Sequence, residues 1–197
     1  DVRLRIMICL DGFIISHCVQ TMQMEDDDKV REFIGEFKPA YSLLDTENPV
    51  SWGALDLQDY YIEHKRAQHM AMQNAKESIK LVSEEFYQCF GRKYELFESY
   101  CLDDAERVII AINSIAGEIK EVVDDLRNKG EKVGLLKIRS FRPFPYEEIA
   151  ESLKSAKIVT VLDRSESMGA YGPLFTEIRT ALFDVPDRPM VYNRMFG

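Results

Sequence analysis

From Tyr94 onward the chain alternates short apolar runs with amphipathic stretches, and few folds accommodate that pattern. Tyr94 to Tyr100, Val108 to Asn113, Val133 to Ile138, Ile158 to Leu162 and Pro189 to Tyr192 read as strands, rich in β-branched and aromatic residues. Between them, Ile115 to Lys129, Tyr146 to Ser155 and Pro173 to Phe183 read as helices. Gly130 stops the first, the Arg142-Pro143-Phe144-Pro145 break precedes the second, and Pro173 opens the third. Strands that alternate with helices of roughly 10 to 15 residues are joined by right-handed crossovers and build a mainly parallel sheet. The expected fold class is α/β: an open, mainly parallel sheet with flanking helices.

The first 90 residues follow other rules. Arg3 to Leu10 reads as a strand, with Ile6, Met7, Ile8, Cys9 and Leu10 as one apolar run ended by Asp11-Gly12. Cys9 in that run reads as a small core residue. The acids from Glu25 to Asp28 precede Val30, Phe33, Ile34 and Phe37, the spacing of a short helix with negative charge at its positive end. Pro39 and Pro49 bracket a loop. From Asp56 to Phe90 there is neither Gly nor Pro, and Ala67, Met70, Ala71, Ala75, Ile79, Val82, Phe86 and Phe90 form one apolar stripe. Unbroken, that helix would span about 50 Å, a length that suits a bent helix or a connector between domains. The expected organisation is therefore an N-terminal α/β stub over 1–50, a linker and long connecting helix over 51–90, and an α/β domain over 91–197.

Charge and cysteine usage remove several function classes. There are 34 acids against 25 bases, for a net charge of −9, and no basic stripe. Nucleic acid and an anionic membrane surface are thereby excluded as expected partners. No apolar run approaches the ~20 residues of a spanning helix, and no signal peptide is visible at Asp1. The cysteines, Cys9, Cys18, Cys89 and Cys101, include no Cys-x-x-Cys pair, and His64 and His69 are not neighbours on a helical face. Neither a zinc nor an iron–sulfur pattern is present. A reduced, cytoplasmic chain is expected.

Parallel strands deliver their following loops to one sheet edge, where α/β folds meet ligands and partners. Three loops should gather there: Asn113 to Glu118, Arg139 to Pro145, and Asp163 to Gly172. They bring Asn113, Ser114, Arg139, Arg142, Asp163, Arg164, Ser165 and Ser167 to one rim. Such a rim serves either as an anion or nucleotide site at a helix N-terminus or as a docking surface. Neither Gly-x-Gly-x-x-Gly nor a phosphate-loop signature occurs, which favours docking. Asp11, Ser16 and His17 supply the residue types of a catalytic triad, but no nucleophile elbow surrounds Ser16. His17 is read as a structural or interface residue. Glu118 with Glu121 and Asp124 with Asp125 read as a solvated helix face, and Asp103-Asp104 as a turn. No catalytic, cofactor-binding or metal-binding residue is assigned. Interface or loop-structuring roles are assigned to Asp11, Ser16, His17, Arg142, Asp163, Arg164, Ser165 and Ser167.

The segment Leu162-Asp163-Arg164-Ser165-Glu166-Ser167-Met168-Gly169-Ala170-Tyr171-Gly172-Pro173-Leu174 is similar to the closing block of the α-subunit region of 2-oxoacid:ferredoxin oxidoreductases, the pyruvate type above all. Leu10-Asp11-Gly12-Phe13-Ile14-Ile15-Ser16-His17 resembles the family's Asp-Gly-Phe-x-x-Ser-His block, late in its pyrimidine-binding domain. Phe90-Gly91-Arg92-Lys93-Tyr94, Lys132 to Arg139, and Arg142 to Pro145 resemble further blocks in the family's order. The family's Gly-Ser-x-x-Gly-Thr is here Asn113-Ser114-Ile115-Ala116-Gly117-Glu118, a departure that weakens a tight anion-binding turn.

The resemblance implies that 1–50 are the end of a thiamine pyrimidine-binding domain and 91–197 a domain like the C-terminal domain of transketolase. The implied parent enzyme converts a 2-oxoacid and CoA to acyl-CoA on thiamine diphosphate, with Mg and iron–sulfur clusters, passing electrons to ferredoxin or flavodoxin. The family's thiamine-activating Glu and substrate residues lie upstream of Asp1, so no cofactor is expected on this stretch, and the stretch alone is expected to be inactive. Its expected partners are other subunits or domains of the oxidoreductase. Self-association through 1–50 or the long helix, as a homodimer, is the expected cover for apolar residues left bare. The rival expectation is a free-standing α/β module that binds a nucleotide or an anion.

Overall fold

The computed structural model describes residues 2–53 and 55–197; Asp1 and Ala54, which fall in the expected stub and linker, lie outside the described residues. The chain divides into two compact units. One comprises Asp1–Arg5 and Thr21–Lys93, the other Ile6–Gln20 and Tyr94–Gly197.

The first unit holds two helices, α1 (Asp27–Ile34) and α2 (Tyr61–Phe90). Helix α1 starts where the acidic run places it. The Asp26 carboxylate accepts hydrogen bonds from the Asp28 and Lys29 N–H groups, both at 3.1 Å, and satisfies donors that a helix start leaves open. Helix α2 has 30 residues, about 45 Å at 1.5 Å per residue. It ends at Gly91, whose φ of 71° costs glycine nothing. Phe33 packs edge-on against Phe86 and Phe90, with ring centroids 5.6 and 5.5 Å apart, so α1 sits on the last turns of α2. The expected stripe is partly covered at Ala71, Ala75, Ile79, Phe86 and Phe90, whereas Ala67, Met70 and Val82 are exposed.

The second unit is built on a five-stranded sheet of β1 (Phe97–Tyr100), β2 (Arg107–Ile112), β3 (Val133–Ile138), β4 (Ile158–Asp163) and β5 (Met190–Met195), in the order β1-β3-β2-β4-β5. Strands β3, β2, β4 and β5 are mutually parallel, and β1 is antiparallel to β3. In register, Val108 of β2 faces Gly134 of β3 on one side and Val159 of β4 on the other. The crossovers are α3 (Ile115–Asn128), α4 (Tyr146–Leu153) and α5 (Pro173–Leu182).

Alternation along the strands sends side chains to two cores. Val108, Ile110, Leu136, Ile138, Val159 and Val161 pack under Ile149 and Leu153 of α4 and Leu174, Phe175, Ile178 and Leu182 of α5. Ala111, Val133 and Leu135 meet Ala116, Ile119 and Val123 of α3. The result is three layers, with α4 and α5 on one face and α3 on the other. Each fully buried Ile or Leu contributes about 1.5–3 kcal/mol. Gly134 fits because nothing larger can: a Cβ there would lie 2.6 Å from the Cys101 carbonyl oxygen and 2.8 Å from Leu102 Cδ2.

Several expectations need correction. Arg3 to Leu10 forms no strand. A strand exists through its neighbour's backbone groups, and this run pairs with none of the five strands; Ile6 and Met7 are 89% and 86% exposed. Cys9, expected in a core, is exposed for the same reason. The last strand begins after Pro189 and continues to Met195, because a proline cannot donate to the ladder while Met190 N–H reaches the Lys157 carbonyl at 3.0 Å. No helix among the described residues is long and apolar enough to cross a membrane.

Candidate functional site

Because β2, β3 and β4 run parallel, the loops that follow them leave the same edge, and the rim expected from the sequence forms there. Its best-buried polar group is Asp163, 5% exposed, at the end of β4. One carboxylate oxygen accepts a hydrogen bond from Leu174 N–H at 2.9 Å, and the other from Phe175 N–H at 3.1 Å. Both donors are open amides of the first turn of α5. Asn193 of β5 completes the arrangement: its Nδ2 donates to Asp163 at 2.9 Å, and its Oδ1 accepts from Gly172 N–H at 3.2 Å. Gly172 lies against this carboxylate so closely that a Cβ would stand 2.3 Å from Asp163 Cγ. Having no side chain, Gly172 cannot cap α5 itself, and Asp163 does so from the sheet, where the helix dipole favours negative charge.

Asp11 makes the matching arrangement at α3. Its carboxylate accepts hydrogen bonds from Ser114 N–H at 2.8 Å, from Ser114 Oγ, and from Asn113 Nδ2 at 3.4 Å. Asn113 turns the chain with φ of 66°, a conformation that asparagine tolerates better than most residues. Partial burial works to raise the Asp11 pKa, but the Ser114 hydrogen bonds and the Arg164 charge prevail and hold it below the usual carboxylate range. The N-terminal ends of α3 and α5 are thus both filled by the chain's own carboxylates. Helix α4 follows Pro145 and carries Glu147 and Glu148 in its first turn.

The remaining rim residues are engaged individually. Arg142 pairs with Glu177 of α5 at 2.5 Å and lies over the Phe141 ring at 4.6 Å. Glu177 also accepts from the Tyr146 hydroxyl; burial, then that contact, raises the Tyr146 pKa. Arg139 pairs with Glu98 of β1 at 2.5 Å, and Lys120 of α3 joins the same carboxylate. Burial pushes Glu98 up, but the Lys120 hydrogen bond and the charges of Arg139, Lys120 and Lys137 outweigh it and lower its pKa. The Arg164 guanidinium lies 4.8 Å above the Phe196 ring. Ser165 and Ser167 are exposed in the loop, where the Ser167 carbonyl accepts from Ala170 N–H at 2.7 Å.

Ser16 and His17 do meet: Ser16 Oγ lies 2.8 Å from His17 Nδ1. That oxygen also accepts from Phe13 N–H at 2.9 Å, and the imidazole stacks on the Phe13 ring at 4.5 Å. The Asp11 carboxylate is committed to Ser114, so the three residues make no catalytic relay. Asn193, Glu98, Glu177 and Tyr146 were not singled out by sequence. Asn193 carried one faint signal, a polar amide interrupting the last apolar run.

The family models and the curated relatives agree on one family. Residues 1–84 match the family model described as pyruvate flavodoxin/ferredoxin oxidoreductase, thiamine diphosphate-binding, and residues 105–197 match pyruvate:ferredoxin oxidoreductase core domain II. The chain belongs to the 2-oxoacid:ferredoxin oxidoreductase family. Pyruvate synthase subunit PorA of Thermotoga maritima is 51% identical over 197 residues, covering 100% of this chain and 50% of that protein. Ketoisovalerate oxidoreductase subunit VorA of Pyrococcus abyssi is 42% identical over 192 residues, covering 97% of this chain and 49% of its own. A solved 2-oxoglutarate:ferredoxin oxidoreductase from Magnetococcus marinus, with 2-oxoglutarate, coenzyme A and succinyl-CoA bound, covers 75% of this chain and 22% of its own at 15% identity and a TM-score of 0.45. The chain spans about half the length of the curated relatives it matches.

The family model's thiamine diphosphate does not fit this rim. A diphosphate would seek the helix N-termini, and at α3 and α5 it would meet Asp11 and Asp163 instead of open amides. Among the described residues no group of three or more His, Cys, Asp or Glu side chains could hold a metal ion.

Proposed function

We propose that this chain is an architectural and subunit-docking part of a 2-oxoacid:ferredoxin oxidoreductase, with pyruvate as the favoured acid. The whole enzyme converts a 2-oxoacid and CoA to acyl-CoA and carbon dioxide, and two electrons leave for ferredoxin or flavodoxin. In this reading residues 1–50 belong to the thiamine pyrimidine-binding domain, 51–90 connect, and 91–197 form the transketolase C-terminal-like domain. Thiamine diphosphate, Mg and the iron–sulfur clusters sit elsewhere in the assembly, which is cytoplasmic. The bare apolar side chains of Ile6, Met7, Ile8, Leu10 and Phe13 are covered by other subunits or domains of that assembly, since large apolar patches rarely stay exposed.

The observation that carries this reading is the occupation of the α3 and α5 N-termini by Asp11 and Asp163. A rim whose anion-binding positions are filled from within speaks against a free-standing nucleotide or anion module. The test has two arms. The full-length protein, assembled with its partner subunits, should reduce ferredoxin when given pyruvate and CoA; no turnover with pyruvate or a branched 2-oxoacid would overturn the enzymatic reading. The 197-residue chain titrated with thiamine diphosphate in a calorimeter should give no micromolar binding, and such binding would overturn the docking role.

A further inference from the structure

Residues 1–84 match a thiamine-binding family, yet Ile6–Gln20 cluster with Tyr94–Gly197 and not with the residues on either side of them. The chain enters this segment from Arg5 and leaves it at Thr21, both assigned to the first unit. Burial does not hold the segment in place. Among its described residues only Asp11 and Ile15 are less than exposed, and Ile6, Met7, Ile8 and Leu10 stand in solvent. Its other side-chain hydrogen bonds among the described residues are local, within Phe13, Ile15, Ser16, His17 and Cys18. The bonds that reach across the fold are those of one carboxylate, from Asp11 to Asn113 and Ser114.

We propose that Asp11 is the anchor that holds the segment Ile6–Gln20, which lies within the thiamine-family match, on core domain II through the N-terminus of α3. The inference rests on the function proposed above. The donors are well chosen for a latch. Ser114 N–H is an open amide of the helix start, and Ser114 Oγ and Asn113 Nδ2 approach the same carboxylate. A charged acceptor makes these bonds stronger than neutral ones. Arg164, from the loop after β4, adds attraction, so the anchor draws on two of the three rim loops. At the turn Asn113-Ser114 the start of α3 receives the chain's own carboxylate.

Hydrogen exchange read by mass spectrometry on the full-length chain tests this, with Asp11→Asn, Asp11→Ala, Ser114→Ala and the double variant Asp11→Ala/Ser114→Ala. Exchange of the first turn of α3, where Asp11 accepts from Ser114 N–H, should rise roughly ten- to a hundredfold in Asp11→Ala, the loss expected for hydrogen bonds to a charged group. Asp11→Asn, which keeps the shape and an acceptor, should rise less. Ser114→Ala should affect the same peptides, and the double variant should add little, because both changes cut one contact. The first turn of α5, capped by Asp163, serves as the internal control and should keep its wild-type exchange. Unchanged exchange of the first turn of α3 in both single alanine variants would overturn the proposal, as would a rise spread equally over α5. If the wild-type assembly shows no 2-oxoacid oxidation, the functional reading fails, while this exchange comparison still decides the anchor.

Discussion

Replacing Gly172 by alanine adds one methyl group where the structure has no room for it. The new Cβ would lie 2.3 Å from both Asp163 Cγ and its Oδ2, and 2.7 Å from Asp163 Cβ. Ordinary carbon contacts need about 3.5–4.0 Å, so either the α5 start or the Asp163 side chain must shift by more than 1 Å. Neither shift is cheap. The carboxylate is held by Leu174 N–H, Phe175 N–H and Asn193 Nδ2, and Gly172 N–H is held by Asn193 Oδ1. Overpacking a tight site costs about 1–3 kcal/mol, and loss of a cap adds about 1 kcal/mol. Gly172→Ala should therefore cost about 2–4 kcal/mol and lower the Tm by roughly 4–16 °C. The assay is thermal and urea unfolding of the 197-residue chain, with Gly117→Ala as the matched control. A Gly172→Ala variant within about 0.5 kcal/mol of wild type, the usual range for surface substitutions, would refute the close-approach reasoning.

Gly117→Ala itself should stabilise by about 0.5–1 kcal/mol in the same melts, because Gly117 is a helical position with no atom within 4 Å of its would-be Cβ. Asp163→Ala leaves two α5 amides and Asn193 without their acceptor and should cost about 2–4 kcal/mol; subunit assembly should weaken, while single-turnover decarboxylation in the assembled enzyme stays near wild type, and a large loss there with assembly intact would place the rim in the active site. Glu98 has a folded pKa below its ordinary 4.5, so its stabilising contribution is present above that pH and lost as pH falls through the lower folded value; the stability gap between wild type and Glu98→Gln should be flat near neutrality and close in acid, and a gap that widened in acid would contradict the assignment. Light scattering of the 197-residue chain should show self-association that grows with concentration, given the exposed Ile6, Met7, Ile8, Leu10 and Phe13; a monomer at high concentration would rule out a homodimer as their cover.

What the amino-acid sequence determined by itself is the set of local elements and their direction. β3 occupies Val133–Ile138 as read, and α3 begins at Ile115, because apolar periodicity and a following glycine act over a few residues. Asp26 caps α1 from within its own acidic run. The gathering of three loops at one rim follows from the parallel crossover rule, which needs no side-chain detail. Tertiary structure alone decided the rest. Arg3 to Leu10 has the composition of a strand but lacks a neighbour to pair with, and pairing is a property of two segments. Asp11 stands six residues before His17 yet bonds Ser114, 103 residues away. Asp163 meets Asn193 across 30 residues, and Gly172 is required by a carboxylate that no local pattern places beside it. Periodicity and capping are written in adjacent residues, whereas a hydrogen bond or a close approach between distant ones is settled only when the sheet and its helices bring them together.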